Sequence, residues 1–414
     1  MDMYWLEVKR VLKSRRSMVL LLIALVMSGV MAGLPVMFED INHYDENGHK
    51  VGELNGLDAI AYKKSLRLAY SGEVTPEKLK EALTIYQRAV GPYGEDSIYS
   101  GEFPTGLYLE KVFPVEGVLG RLPEAFADPK TGQGRSLLDI SPDALDGFYE
   151  QTVQHVKDIM QMEQRDHPAA RQHALQSYTE VKTPFLLYPG YSRDAFDYMV
   201  LFIFLLVILF TAAVTPTFCN DYQTGSDSIL RCTKHGRSRL ARVKIMAALT
   251  IFALGFILCM SLHLLISNLA FGAECRKTSM QMLFSVISLP GFNLGQLQMV
   301  LAMGGLLSLL AMLSFTLYLS AKFKDSVAVV LMALVMCLLP LFTYSAGANW
   351  LTFILPSGGT GMQNSLLYQL TGFAYLHIGQ ASVWSPYVTI GAAVIEIPVF
   401  LFLAVRTYCQ HQVV

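Results

Sequence analysis

The chain has 414 residues, and its 32 Lys and Arg nearly balance its 33 Asp and Glu, which gives a formal net charge of −1. Hydrophobic residues make up 53% of the chain, charged residues only 16%, and the mean hydropathy is +0.39. This composition excludes an ordinary soluble globular protein and indicates a chain that lies largely in a membrane.

The N-terminal segment, residues 1–16, has the pattern of a basic amphipathic helix lying at the membrane surface. Its apolar side chains fall on one side of a helix, and its basic side chains fall elsewhere. We expect a cytoplasmic elbow helix; a plain topology signal is the alternative.

Six stretches are apolar, nearly free of charge and close to the roughly 20 residues that a helix needs to cross a bilayer. Five basic residues precede the first stretch, and no small-residue cleavage site follows it before Pro35, so we expect an anchor rather than a signal peptide. The sequence therefore predicts an α-helical polytopic membrane protein with six transmembrane helices, at residues 17–36, 198–216, 245–271, 297–321, 326–345 and 388–405.

The first of these stretches carries a stripe of small residues. Gly29 and Gly33 are one helical turn apart, and Ser28 and Ala32 lie beside them. Such a stripe allows two helices to approach closely. Packing within the subunit and packing at a dimer interface are both open.

Residues 37–195 form a segment long enough to bury a core of its own, and we expect an extracellular domain. The segment holds 16 basic and 25 acidic residues and none of the six cysteines, so it cannot use disulfides. Thr75-Pro76-Glu77, Ser141-Pro142-Asp143 and Pro168 are helix-start signals. The sequence predicts a mainly helical domain with one hairpin near residues 45–48. The stretch 91–134, rich in Gly and Pro, is expected to be irregular.

The connections between the predicted spans differ in basic residues. Residues 217–244 carry six Lys or Arg and residues 1–16 carry five, whereas the connection 346–387 carries none. The positive-inside bias predicts that both termini, including the tail 406–414, are cytoplasmic. The cysteine-free domain favours a bacterial cell membrane. The connections 272–296 and 346–387 are apolar for external loops, and we expect them to be buried against protein.

The cytoplasmic connection 217–244 is expected to contain a short helix. Gly225 allows a sharp turn, Ser226 can cap the helix, and Gly236 can end it. Ile229 and Leu230 could then enter a groove on a cytoplasmic partner.

Glu396 lies near the middle of the last predicted span. A carboxylate there faces a cavity or a partner more often than lipid, so Glu396 is a candidate for the transport path or for an interhelical contact. A protonated Glu with a structural hydrogen bond is the alternative.

The chain resembles the transmembrane subunits of type-two ABC exporters that carry a large external domain between the first and second spans. The resemblance rests on the topology, the short turn between the fourth and fifth spans, and the apolar, Pro-containing connection before the last span. It also rests on an N-terminal run, Trp5-Leu6-Glu7-Val8-Lys9-Arg10, and on a loop run at Asp221, Gly225, Ser226, Leu230, Thr233, Arg237 and Lys244.

The resemblance implies a permease subunit that pairs with a second permease, identical or related, and docks its loop on an ABC ATPase, two copies of which serve each complex. ATP and Mg²⁺ would be bound by that ATPase, because this sequence lacks a Gly-x-x-x-x-Gly-Lys-Ser/Thr motif. In such subunits the outer region gates the exit, which makes the Pro and Gly residues before the last span outer-gate candidates. The implied sites are ATPase coupling at Asp221, Gly225, Ser226, Ile229, Leu230, Thr233 and Arg237, and an outer gate at Pro356, Gly358, Gly359 and Gly361.

The sequence contains no motif for catalysis, for a metal site or for nucleic-acid binding, so the chain is not expected to be an enzyme by itself. The apolar spans favour an amphipathic substrate such as a lipid, peptide or drug. The competing hypothesis is a sensor or accessory subunit, whose external domain binds a ligand and whose loop signals to a cytoplasmic partner.

Overall fold

The computed structural model describes residues 2–44, 50–129, 131–232, 236–347, 349–361 and 365–410, most of them helical. A π-helical turn covers Tyr108–Val112. Turns of 3₁₀ helix cover Leu68–Tyr70, Leu137–Asp139, Pro142–Gly147 and Ala273–Lys277. The described strands pair antiparallel: β1 Asp40–Tyr44 with β2 Lys50–Asn55, β3 Gly72–Glu73 with β4 Leu186–Leu187, and β5 Tyr375–Ile378 with β6 Ala381–Trp384. The α-helices are α1 Asp2–Lys13, α2 Arg15–Met37, α3 Gly56–Arg67, α4 Pro76–Val90, α5 Asp96–Ser100, α6 Thr105–Leu107, α7 Phe113–Leu119, α8 Leu122–Ala125, α9 Phe148–Glu163, α10 Pro168–Thr179, α11 Arg193–Val214, α12 Pro216–Thr224, α13 Ser226–Cys232, α14 Ser238–Phe271, α15 Met280–Leu283, α16 Leu294–Lys322, α17 Ser326–Ser345, α18 Asn349–Ile354, α19 Leu366–Thr371 and α20 Ser385–Gln410.

Six helical segments of the described chain are long and apolar enough to cross a membrane: α2, α11 with α12, α14, α16, α17 and α20. Each contains one of the six predicted stretches, and most extend beyond it at both ends. The prediction of a helical polytopic protein with six candidate spans is therefore confirmed.

The spans pack around α16, which contacts α11, α14, α17 and α20, while α2 packs against α11 and α14. The most apolar part of the segment formed by α11 and α12 is 61% buried, but the corresponding parts of α2, α17 and α20 are only 28%, 22% and 17% buried. These three outer helices leave apolar surface that lipid or another protein can cover.

We call residues 38–192, between α2 and α11, the inserted domain; its buried core is continuous with that of the spans. Its predicted hairpin is confirmed by the pairing of β1 with β2, with Asp40 opposite Asn55. The turn at residues 45–49 lies outside the described residues. The predicted helices also form: the Thr75 hydroxyl accepts a hydrogen bond from the Lys78 N–H at 3.3 Å and caps α4, and α9 begins after a 3₁₀ turn at Pro142.

The expectation that residues 91–134 are irregular is wrong for residues 105–125, which are mostly helical, but it holds for residues 91–95 and 126–129, which form turns and coil. This stretch contains α5 to α8, and Val115, Leu119 and Leu122 are at most 1% exposed in the domain core. Pro114 and Pro123 occupy the first turns of α7 and α8, where proline favours a helix rather than interrupting it. Two prolines of this stretch therefore mark helix starts.

The inserted domain is fixed to the spans through the connection between α14 and α16. Arg121 donates to the Leu283 carbonyl at 2.8 Å, and the Tyr178 hydroxyl donates to the Val286 carbonyl at 2.6 Å. Val286 is itself fully buried. The apolar connection therefore packs against protein, as expected.

The hairpin of β5 and β6 was not expected from the sequence. It turns at Gly379, whose φ is +61°, and it leads directly into α20. The hairpin packs on the inserted domain, where the His173 ring nitrogen Nδ1 lies 3.1 Å from the Tyr375 hydroxyl. The inserted domain is therefore in contact with the segment that precedes the last span.

Candidate functional site

The connection between the second and third spans is helical and turns back on itself. The helix continues from α11 through Thr215 into α12, ends at Thr224, and is followed by α13. Gly225 joins α12 to α13 with a φ of +69°, a left-handed conformation that residues with a Cβ rarely adopt. The predicted sharp turn at Gly225 and the short helix after it are therefore present.

Asp221 is the centre of a buried charge cluster that we call the Asp221 clamp. Its carboxylate is fully buried, and it accepts a hydrogen bond from Arg10 of α1 at 2.7 Å. Its second oxygen accepts from the ammonium of Lys244, whose side chain is only 1% exposed. The clamp joins the N-terminal helix, the end of the second span and the start of the third.

The N-terminal helix α1 contributes both charge and packing to this site. Burial alone would lower the pKa of Arg10, but the neighbouring Asp221 and Glu7 carboxylates outweigh burial and raise that pKa. Val8 is 8% exposed and packs on Ala247 of α14. The apolar side predicted for α1 is only partly buried, because Val8 packs on α14 whereas Trp5 is 56% exposed.

Helix α12 is also attached to the ends of the fourth and last spans. The Tyr222 hydroxyl donates to the Ala321 carbonyl at 3.0 Å, and the Ser320 hydroxyl donates to the Thr215 carbonyl at 2.7 Å. The Phe218 ring lies 5.0 Å from the ring of Tyr408 in α20. A displacement of α12 would therefore be transmitted to α14, α16 and α20 together.

Helix α13 is the exposed part of this site. Ile229 is 74% exposed, Leu230 is half-buried, and Arg237 is exposed at the start of α14. Ser226 begins α13, and its hydroxyl lies 2.9 Å from that of Thr224. Thr233 lies outside the described residues. The sequence predicts Asp221 as part of the same contact surface, but its carboxylate is buried where α12 meets α1 and α14.

The outer-gate candidates lie at the opposite end of the bundle, between α16 and α20. The Gly358 carbonyl accepts a hydrogen bond from Ser308 of α16 at 2.8 Å, and both residues are buried. Gly359 has a φ of +78°. A Cβ at this position would lie 3.0 Å from Thr389 of α20. The other two candidates are also buried: Pro356 and Gly361.

Glu396 lies in α20 below these residues and is half-buried. One of its carboxylate oxygens is buried and has no hydrogen-bond partner among the described residues. In α2, Ser28 and Ala32 are fully buried within the chain, and a Cβ at Gly29 would lie in ordinary contact with Ile266. A Cβ at Gly33 would meet nothing within 4 Å.

The described residues contain no group of three or more His, Cys, Asp or Glu side chains that could hold a metal ion. Sequence reasoning found Asp221 and Lys244 in one run but did not pair them with each other or with Arg10. The available signal was chemical: a carboxylate flanked by apolar Phe218, Cys219 and Tyr222 has to be paired when it is buried.

Comparison with models of known protein families, and with curated proteins, finds no match to this chain.

Proposed function

We propose that the chain is the permease subunit of an ATP-driven exporter, which moves an amphipathic substrate by alternating access. The six candidate spans supply the membrane part. The ATPase, with its ATP and Mg²⁺, is a separate subunit present in two copies, and a second permease completes the complex. In this proposal both termini and α13 lie in the cytoplasm of a bacterial cell, and the inserted domain lies outside.

The observation that carries the proposal is the combination of an exposed short helix with a rigid attachment. Ile229 of α13 is 74% exposed. The helix before it, α12, is held in place by the Asp221 clamp and by α16. A force applied to α13 would act on α12 across Gly225, and α12 is attached to the third, fourth and last spans. This is the mechanical requirement for coupling ATP hydrolysis in one subunit to helix movement in another.

The exposed faces of α2, α17 and α20 are compatible with a second permease subunit. Glu396 and the residues from Pro356 to Gly361 lie on or beside α20, so a path along that helix would include the transport and gate candidates. The alternative is a sensor or accessory subunit, in which the contact between the inserted domain and the hairpin of β5 and β6 would report ligand binding to the spans. Substrate movement across a vesicle distinguishes the two functions, because a sensor moves nothing.

The test is co-purification of the full chain with an ATPase encoded beside it, followed by ATPase and efflux assays in vesicles. Ile229→Asp places a charge on the proposed docking surface, and because Ile229 is already exposed the fold should be kept. Ile378→Asp is the matched control, since Ile378 is 64% exposed at the opposite end of the molecule. The proposal predicts loss of ATPase association only for Ile229→Asp. It would be refuted if no ATPase bound the chain, or if both variants supported efflux like the unmodified protein.

A further inference from the structure

A cavity of about 240 Å³ lies where the inserted domain meets the ends of the spans. Helix α3 forms one wall with Lys63, Lys64 and Arg67, and the segment before α11 forms the other with Tyr188 and Ser192. This volume is large enough for a phosphate or carboxylate group.

The charge of the lining is opposite to that of the domain that supplies it. The segment 37–195 has nine more acidic than basic residues, yet the cavity is lined by three cations and one carboxylate, Glu39. Glu39 pairs with Lys63 at 2.5 Å, and Glu116 pairs with Arg67 at 3.0 Å. Lys64 forms no ion pair with a carboxylate among the described residues.

Lys64 is nevertheless held in place. Its ammonium donates to the Phe271 carbonyl, at the end of α14, at 3.1 Å. Gly272 makes this approach possible, because a Cβ there would collide with the Lys64 ammonium. A lysine ammonium has three N–H donors, so Lys64 keeps donors for a ligand. The Ser192 hydroxyl adds a buried polar atom that has no partner among the described residues.

The cavity lies at the level where the spans end. Helix α3 packs against α2 and α14, the two spans whose last residues are Met37 and Phe271. Met37 is 73% exposed, Phe38 is 64% exposed and Leu57 of α3 is 59% exposed. Apolar residues exposed beside a cationic pocket at a span end are typical of contact with lipid headgroups.

We propose that this cavity binds the phosphate group of an amphiphile whose headgroup carries a net negative charge, with Lys64 as the principal cation and the Ser192 hydroxyl as a further donor. A phospholipid headgroup and free inorganic phosphate share this chemistry, and the exposed apolar residues favour the lipid. The proposal does not depend on the transport function, because it concerns binding alone.

The test uses the purified full chain in a non-ionic detergent, titrated separately with dioctanoyl phosphatidylglycerol, dioctanoyl phosphatidylcholine and inorganic phosphate by isothermal calorimetry. Lys64→Gln removes the unpaired charge, and Ser192→Val removes the hydroxyl donor without breaking a hydrogen bond to a described residue. We expect each variant to weaken phosphatidylglycerol binding about tenfold, the usual effect of losing one charge-assisted hydrogen bond. Lys80→Gln is the control, because Lys80 pairs with Asp146 elsewhere on the domain surface.

The outcomes distinguish a phospholipid headgroup from free inorganic phosphate as the ligand. Saturable phosphatidylglycerol binding that both variants weaken and the control keeps, with phosphatidylcholine binding much more weakly, supports the lipid source. Saturable binding of inorganic phosphate but of neither lipid, weakened by Lys64→Gln and Ser192→Val but not by Lys80→Gln, supports the site with a free anion as its ligand. Equal binding of the two lipids, no binding of any probe, or binding that neither variant changes would overturn the proposal. A thermal unfolding midpoint kept by Ser192→Val shows that its loss of binding does not come from unfolding.

Discussion

Replacing Asp221 by Asn removes the charge of the Asp221 clamp while keeping the shape of the side chain. In this variant Lys244, whose side chain is 1% exposed, would lose its partner carboxylate. Breaking a buried ion pair by removing one partner destabilises a protein by about 3–5 kcal/mol, because the remaining charge is left without compensation. We expect Asp221→Asn to lower the free energy of unfolding by about this amount.

Arg10 supplies the matched control within the same cluster. Its side chain is 43% exposed, and Glu7 lies 3.5 Å away as a second partner. Because Arg10 is partly exposed and Asp221 would keep Lys244 as a partner, Arg10→Gln should destabilise the protein less than Asp221→Asn. The double variant Asp221→Asn with Lys244→Met should be less destabilised than the sum of its single variants, since it leaves no buried ammonium unpaired.

The assay is unfolding of the purified chain in mixed micelles with increasing dodecyl sulfate, followed by far-ultraviolet circular dichroism. The comparison covers the unmodified protein, the three single variants and the double variant. The argument fails if Asp221→Asn and Arg10→Gln are equally mild, or if the effects of Asp221→Asn and Lys244→Met simply add.

Three further predictions test other parts of the structure. Gly225→Ala should destabilise the protein by about 1–2 kcal/mol, because an L-residue is strained in the left-handed conformation, and the same unfolding titration measures this effect. Cys232, exposed at the end of α13, should not react with an impermeant maleimide in intact cells, whereas a cysteine introduced as Ile378→Cys should react; labelling of Cys232 would place α13 outside. Burial lowers the pKa of His155 below its ordinary value of 6.5, and the opposing effect of Glu124 and Asp158 is smaller. The unfolded chain therefore binds the proton more readily than the folded chain. The free energy of unfolding should fall as the pH decreases below 6.5. Thermal unfolding midpoints of His155→Gln should depend less on pH over that range.

The elements that the sequence predicted are those defined by local physics. The six spans follow from apolar length alone, and α4 follows from Thr75, Pro76 and Gly91, whose roles at helix ends require no tertiary contact. The left-handed Gly225 belongs to the same class, since only glycine adopts that φ without strain. These features lie within one turn or one helix of the residues that specify them.

The features that the sequence did not reveal depend on distant contacts. Arg10 and Asp221 are separated by 211 positions, and nothing local pairs them. The hairpin of β5 and β6 did have a local signal, because alternating residues flank Gly379. Its position was not predictable, since it is set by packing of Tyr375 on His173, 202 positions away.

Helix α14 connects the Asp221 clamp to the proposed anion cavity. It contains 34 residues and no proline, and Lys244 near its start and Phe271 at its end take part in the two sites. The helix is about 51 Å long, and if it moves as one body, a displacement of the Asp221 clamp shifts the Phe271 carbonyl relative to Lys64 unless α3 follows. If both proposals hold, nucleotide bound to the partner ATPase should change phosphatidylglycerol affinity, and phosphatidylglycerol should change nucleotide affinity by the same factor, because binding coupling is reciprocal. Calorimetric titration of the reconstituted complex with each ligand, in the presence and absence of the other, measures both factors. If each ligand binds but neither changes the affinity of the other, the two ends of α14 are not coupled.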